Sequence, residues 1–142
     1  DKVDQVINAG AAFGVSPGLN PGVVARAQQK GLPFAPGVVT PTDIESAIEL
    51  GCRELKFFPA EPSGGIKYLR SMYAPSVHLG LQFIPLGGIY ASNLAPYVFD
   101  DAFPAIGGSW IAPRKLIQTK NWSAVIDNAT EARRIIKEMR SQ

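Results

Sequence analysis

A chain of 142 residues with 46% hydrophobic and 18% charged content has room for one domain (residues 1–142) with a sizeable core, and its balance is that of a globular protein rather than a disordered or fibrous one. Net charge is +2, and the one basic concentration, residues 133–140, alternates apolar and charged side chains at helical spacing; a solvated helix face explains it, and nucleic acid is not expected as a partner. No apolar run approaches the ~18 residues that cross a bilayer, the single cysteine (Cys52) excludes an intrachain disulfide and fits a reducing, cytoplasmic setting, and the single histidine (His78) supplies no ligand cluster for a catalytic metal.

Along the chain, apolar runs alternate with helical patterns. Residues 11–15 (AAFGV) are ended by Ser16-Pro17-Gly18, and a helix over 22–30 follows, with Asn20 as cap, Pro21 at its first position and Gly31 as its stop. Residues 32–36 are again apolar. A second helix opens at Thr42-Asp43, where Glu45 three residues on suggests a capping box, and ends at Gly51. Residues 54–58 (ELKFF) read as a strand and 65–72 as a helix; 81–86 (LQFIPL) as a strand and 92–98 as a short helix capped by Ser92 or Asn93. Residues 102–106 read as a fifth strand, and from Pro113 the chain is helical in pieces, the last piece over 123–139.

Five strands, each followed by a helix, make a parallel α/β protein, and continuous rather than alternating apolar strands agree with burial on both faces. A doubly wound sheet would carry a glycine fingerprint after its first strand, which Val15-Ser16-Pro17-Gly18 does not supply. A (β/α)8 barrel places functional residues at the C-terminal strand ends, often with a phosphate site after its last two strands. Here those strands end in Leu86-Gly87-Gly88 and Ile106-Gly107-Gly108-Ser109. Five units do not close a barrel, so the expectation is strands 4 to 8 of eight, with the chain starting in the helix before strand 4.

Lys56 is the foremost chemical candidate. Strand alternation sends Leu55 and Phe57 to one face and Glu54, Lys56 and Phe58 to the other. A lysine aimed into a barrel interior is desolvated, which favours the neutral amine that attacks a ketone to give an imine. The competing reading is an edge-strand lysine that snorkels its charge to water. The glycine pairs Gly87-Gly88 and Gly107-Gly108, with the Ser109 hydroxyl, suit close approach of a phosphate to backbone N–H groups, against the alternative of two ordinary strand-to-helix turns. Glu61, just past the Lys56 strand, reads as a solvated loop carboxylate sooner than as a proton-transfer group. Ser16 and Thr40 suit turn and capping roles, and Cys52 a packed thiol.

The stretches AAFGVSPGL (11–19), PFAPGVVTPTDI (33–44), ELKFFPAEPSGG (54–65), PLGGI (85–89) and IGGSWIAP (106–113) together resemble the 2-keto-3-deoxy-6-phosphogluconate aldolase / 4-hydroxy-2-oxoglutarate aldolase family, in one order along the whole chain. The resemblance implies a (β/α)8 barrel that assembles as a homotrimer and uses no metal or other cofactor. It implies that Lys56 forms the carbinolamine and imine with a 2-keto group, that Gly87, Gly88, Gly107, Gly108 and Ser109 hold the substrate phosphate, and that Phe58 lines the pocket. The implied reaction is a class I aldolase cleavage of 2-keto-3-deoxy-6-phosphogluconate to pyruvate and glyceraldehyde 3-phosphate. Members commonly carry Thr where this chain has Leu86, beside the substrate hydroxyls, which keeps open a related acid such as 4-hydroxy-2-oxoglutarate or the galactonate epimer. The family's proton-transferring glutamate and the arginine and threonine that hold the pyruvyl carboxylate belong to the first three strands, outside these residues, so an inactive fragment is a further alternative.

Overall fold

The computed structural model describes residues 2–140; Asp1, Ser141 and Gln142, at the ends of the expected domain, lie outside the described residues. The chain opens with helix α1 (Lys2–Asn8), the expected helix ahead of the first strand. Strand β1 (Gly14–Val15) is followed by α2 (Pro21–Gln29), where the Asn20 side chain accepts from the Gly22 and Val23 amides as the sequence suggests. The apolar run around Pro36 forms two short strands, β2 (Phe34–Ala35) and β3 (Gly37–Val38). Then come α3 (Pro41–Glu49), β4 (Glu54–Phe57), α4 (Gly65–Tyr73), β5 (Gln82–Pro85) and the short α5 (Ala95–Val98), and the chain closes with α6 (Arg114–Gln118) and α7 (Trp122–Arg140).

All strand pairings are parallel, and spatial neighbours are sequence neighbours: β1 beside β2, and β3, β4, β5 in order. A wall that adds each strand on the same side is the barrel manner of winding; a doubly wound sheet would reverse direction. The break at Pro36 is a step in this wall. Residues before it bond β1, with the Gly14 and Ser16 amides donating to the Pro33 and Ala35 carbonyls. Residues from Pro36 onward bond β4, with the Lys56 amide donating to the Pro36 carbonyl at 2.9 Å and the Phe58 amide to Val38. Proline has no N–H to add to a ladder, so it fits where one pairing stops and the next begins. Gly37 is obligatory for a different reason: a Cβ there would stand 2.2 Å from the Pro17 carbonyl oxygen.

The expected fifth strand over 102–106 does not form a ladder. The segment lies beside β5 through two backbone bonds, Phe83 N–H to Ala102 and Gly107 N–H to Pro85, and a single parallel bridge of Leu86 with Gly107. Pro104, inside it, cannot donate, which removes the bond that would join those contacts.

The core lies between the outer sheet face and the helices. Leu55, Phe57 and Phe83 are fully buried there against Ile44 and Ala47 of α3, Leu69 of α4 and Tyr97 of α5. Burying each large apolar side chain contributes about 1.5–3 kcal/mol, so these strand residues fix which face looks inward. Cys52 is a buried free thiol just ahead of β4, with burial and then the nearby Glu54 charge pushing its pKa up.

Two capping assignments differ from the sequence reading. α3 starts at Pro41 with Thr40 as its cap: the Thr40 hydroxyl accepts from the Asp43 amide, and Asp43 Oδ2 accepts from the Val39 and Thr40 amides at 2.9 Å. Thr42 and Glu45 play no part in that box. A proline at the first helical position made the earlier start available, because its missing N–H is one the helix cannot use there. α5 starts after Leu94 with no side-chain cap, leaving Ser92 and Asn93 outside the helix. Asp43→Ala should therefore cost about 0.5–2 kcal/mol in urea unfolding, whereas Thr42→Ala, exposed in the first turn of α3, should leave the midpoint nearly unchanged.

Candidate active site

Lys56 sits in the middle of β4, paired in register with Gly37 on one side and Ile84 on the other. The residue is only 9% exposed, and Nζ lies 4.3 Å from the centroid of the Phe58 ring. Among the described residues it makes no side-chain hydrogen bond and no ion pair. Burial alone lowers its pKa below the ordinary 10.5, because no carboxylate stands by to stabilise the ammonium. Leu55 and Phe57 face the core while Lys56 turns to the other side, as alternation requires, and an edge-strand lysine is excluded because β4 is flanked by β3 and β5. That inner face continues toward the N-terminal strand ends as a cleft of about 290 Å³ lined by Phe13, Gly14, Phe34, Glu54 and Ile84.

At the C-terminal strand ends three loops lie side by side. The turn after β4 contacts the Leu86-Gly87-Gly88 loop through Ala60 N–H to the Leu86 carbonyl at 2.7 Å and Glu61 N–H to Gly87 at 3.0 Å. Gly87 and Gly88 have φ of +102° and +77°, and a Cβ on Gly87 would press on the Phe58 ring at 3.2 Å and one on Gly88 on the Glu61 Cβ at 2.8 Å. These two glycines are demanded both by backbone conformation and by the closeness of the neighbouring loop. Leu86, half-buried, extends over Gly107, where a Cβ would come within 2.5 Å of Leu86 Cδ2. Ser109 is exposed at the far side of the row, and Asn128 of α7 donates to the Trp110 and Ile111 carbonyls just behind it. The backbone N–H groups of Gly87, Gly88, Gly108 and Ser109 donate to no acceptor among the described residues.

Thus Phe58, Leu86, Gly87, Gly88, Gly107, Gly108 and Ser109 fall along the C-terminal edge of the wall, and Lys56 lies on the inner face just below it, against Phe58. Glu61 corrects its sequence reading: it is half-buried, and Oε1 accepts the hydroxyl hydrogen of Tyr97, itself 1% exposed in the core. The carboxylate therefore turns into the protein. Burial first, and then the Glu61 carboxylate, raise the Tyr97 pKa well above the usual phenol range. Nothing in the sequence signals this pairing, since Tyr97 lies 36 residues on. Ser16 and Thr40 do take the turn and capping roles expected of them: the Ser16 hydroxyl donates to the Gly18 carbonyl at 2.6 Å. Among the described residues no three His, Cys, Asp or Glu side chains gather as a metal site would need.

A parallel wall wound in one direction, with a desolvated lysine on its inner face and glycine loops at its C-terminal edge, is the arrangement of a (β/α)-barrel. A family model described as KDPG and KHG aldolase matches residues 1–128, and the chain belongs to that family. It is 42% identical over 137 residues to a 2-dehydro-3-deoxy-phosphogluconate aldolase of Haemophilus influenzae, covering 94% of this chain and 64% of that one. It superposes with a TM-score of 0.79 and 33% identity on a KDPG aldolase from Legionella pneumophila with pyruvate captured as a covalent carbinolamine, covering 88% of this chain and 60% of that one. For a 2-keto-3-deoxy-6-phosphogluconate aldolase of Zymomonas mobilis with 3-phosphoglycerate the values are 0.73 and 36%, covering 79% and 53%. The chain thus spans less than two thirds of the length of these relatives.

The Lys56 environment makes a prediction about stability. With the folded-state pKa below 10.5, the unfolded chain binds the extra proton over the intervening pH range, so this group's penalty is full at low pH and is relieved as pH rises. Lys56→Met should raise the urea midpoint at neutral pH, and the gain should shrink toward about pH 10. A variant of unchanged stability at every pH would mean a lysine solvated as ordinary surface lysines are.

Proposed function

We propose that this protein cleaves 2-keto-3-deoxy-6-phosphogluconate to pyruvate and glyceraldehyde 3-phosphate through an imine on Lys56. The observation that carries the reading is a buried amine with no counter-charge, on the strand whose C-terminal turn abuts the first of two adjacent glycine loops with undonated N–H groups. The neutral Nζ adds to the C2 ketone to give a carbinolamine, and loss of water gives the iminium. The iminium draws in the electron pair released when the C3–C4 bond breaks, as the C4 hydroxyl gives up its proton and becomes the aldehyde. The resulting enamine is protonated at C3, and water releases pyruvate and the free amine. Phe58, whose ring faces Nζ, keeps water from the amine and lines the pyruvyl end. The N–H groups of Gly87, Gly88, Gly108 and Ser109, with the Ser109 hydroxyl, hold the phosphate along the C-terminal edge, while the Gly107 N–H is already donated to Pro85.

A related acid is the second reading, and Leu86 is what favours it. Its side chain has no hydrogen-bonding atom and packs over Gly107 in the row between amine and phosphate loops. A substrate with fewer hydroxyls to satisfy, such as 4-hydroxy-2-oxoglutarate, suits that lining, and the galactonate epimer is to be compared as well. Turnover of the three acids under one set of conditions ranks them. A trimeric, cytoplasmic protein is the accompanying expectation; no helix among the described residues is long and apolar enough to cross a membrane.

Pyruvate with borohydride should add one stable reduced adduct, at Lys56. Lys56→Ala should abolish it and lower turnover by several orders of magnitude, and Lys56→Arg should fail equally because a guanidinium stays protonated. An adduct at the exposed Lys67, or one that persists in the variant, overturns the mechanism.

The phosphate contact is best probed at Ser109. Gly108→Val is unsuitable, because even a Cβ there meets the Trp110 ring at 2.5 Å. Ser109→Ala should raise KM for phosphorylated substrate roughly tenfold, as expected for one charge-assisted hydrogen bond. KM for 4-hydroxy-2-oxoglutarate should stay near its original value. Equal changes on both would place the phosphate elsewhere.

A further inference from the structure

Three consecutive carbonyls in the loop after β5 are each held by a different donor. Leu86 accepts from Ala60 N–H, Gly87 from Glu61 N–H at 3.0 Å, and Gly88 from Asn93 Nδ2 at 3.0 Å. A trans peptide points its C=O and the following N–H in opposite directions. Holding those three carbonyls therefore aims the amides of Gly87, Gly88 and Ile89 the other way, and none of the three donates to an acceptor among the described residues. Ile89 is 2% exposed, so its side chain anchors one end of the row in the core. These three amides, two of them on glycines with φ of +102° and +77°, leave consecutive N–H dipoles without a protein acceptor among the described residues.

The side chains that hold this arrangement lie outside it. Asn93 makes both of its contacts within the loop: Nδ2 reaches the Gly88 carbonyl, and Oδ1 accepts from the Tyr90 amide at 2.7 Å. Glu61 touches the loop through its own N–H and through its Cβ, then turns its carboxylate to Tyr97 on α5, the helix that ends the loop. The Tyr97 ring is fixed in the core beside Phe103. The loop is thus clamped at its middle by Asn93 and at both ends by one side-chain bond.

We infer that Asn93 and the Glu61–Tyr97 bond are positioning elements that hold the Gly87, Gly88 and Ile89 amides toward the anionic end of the substrate. They touch neither the substrate nor Lys56. They set how tightly a phosphate is bound and leave the amine's chemistry alone. This rests on the phosphate-binding reading given above and adds the residues on which that binding depends.

The test compares KM and kcat for 2-keto-3-deoxy-6-phosphogluconate with those for 4-hydroxy-2-oxoglutarate, alongside the rate of pyruvate and borohydride labelling, in the purified protein. Asn93→Ala and Tyr97→Phe should each raise KM for the phosphorylated acid roughly threefold or more, as expected for one lost hydrogen bond. KM for the unphosphorylated acid and the labelling rate should stay near wild type. Glu61→Gln, whose amide oxygen still accepts from Tyr97, should keep the wild-type ratio, and so should Ser92→Ala, exposed beside Asn93. Should Tyr97→Phe not fold, Asn93→Ala in a half-exposed loop carries the same expectation. Losses equal on both substrates, or an unchanged KM ratio in both variants, overturn the inference. Absence of labelling in the wild-type protein would instead remove the imine mechanism beneath it.

Discussion

The amine of Lys56 is removed from water without being given a partner. A strand between two others, a glycine on one flank and a half-buried isoleucine on the other, and the Phe58 ring over Nζ leave the group in a setting that favours its neutral form. Placing it there costs stability, and the apolar face of the same strand offsets that cost: Leu55 and Phe57, alternate to Lys56, are fully buried beneath the helices. The strand's two faces thus do opposite things, one anchoring the wall and the other carrying an uncompensated amine.

The neighbouring loops depend on that strand. Because the turn after β4 donates to the loop after β5, and Leu86 covers Gly107, the order of strands in the wall becomes an order of sites along its edge: amine, aromatic ring, first glycine loop, second glycine loop. Each glycine pair is fixed by what is next to it. Gly87 and Gly88 face Phe58 and Glu61; Gly107 and Gly108 face Leu86 and Trp110. Adding a side chain at Gly87, Gly88 or Gly107 would press on the neighbouring loop, so these residues let the loops at this edge lie close together.

The strand-and-helix alternation, the inward lysine and the glycine loops were legible because each is a local pattern: period-two burial, caps, and backbone positions that only glycine fills. Where the sequence misled, the deciding contact was elsewhere. Thr40 capped α3 in place of Thr42 because proline follows it, a local rule with two solutions nearby. Residues 102–106 look like a strand by apolarity, yet Pro104 breaks the ladder. Asn93 looked like a helix cap and closes a loop, and Glu61 looked solvated because Tyr97, its partner, arrives only through the packing of α5. Long-range hydrogen bonds of this kind leave no periodic trace.

Cys52 is the chain's lone thiol, and it is shut into the core directly before β4, its amide donating to Ala47 at the end of α3. A thiol-modifying reagent reaches it only when that region opens, so the alkylation rate becomes a clock for the excursions of the segment that delivers Lys56. Reading that clock across a urea series would separate local opening of this segment from unfolding of the whole chain.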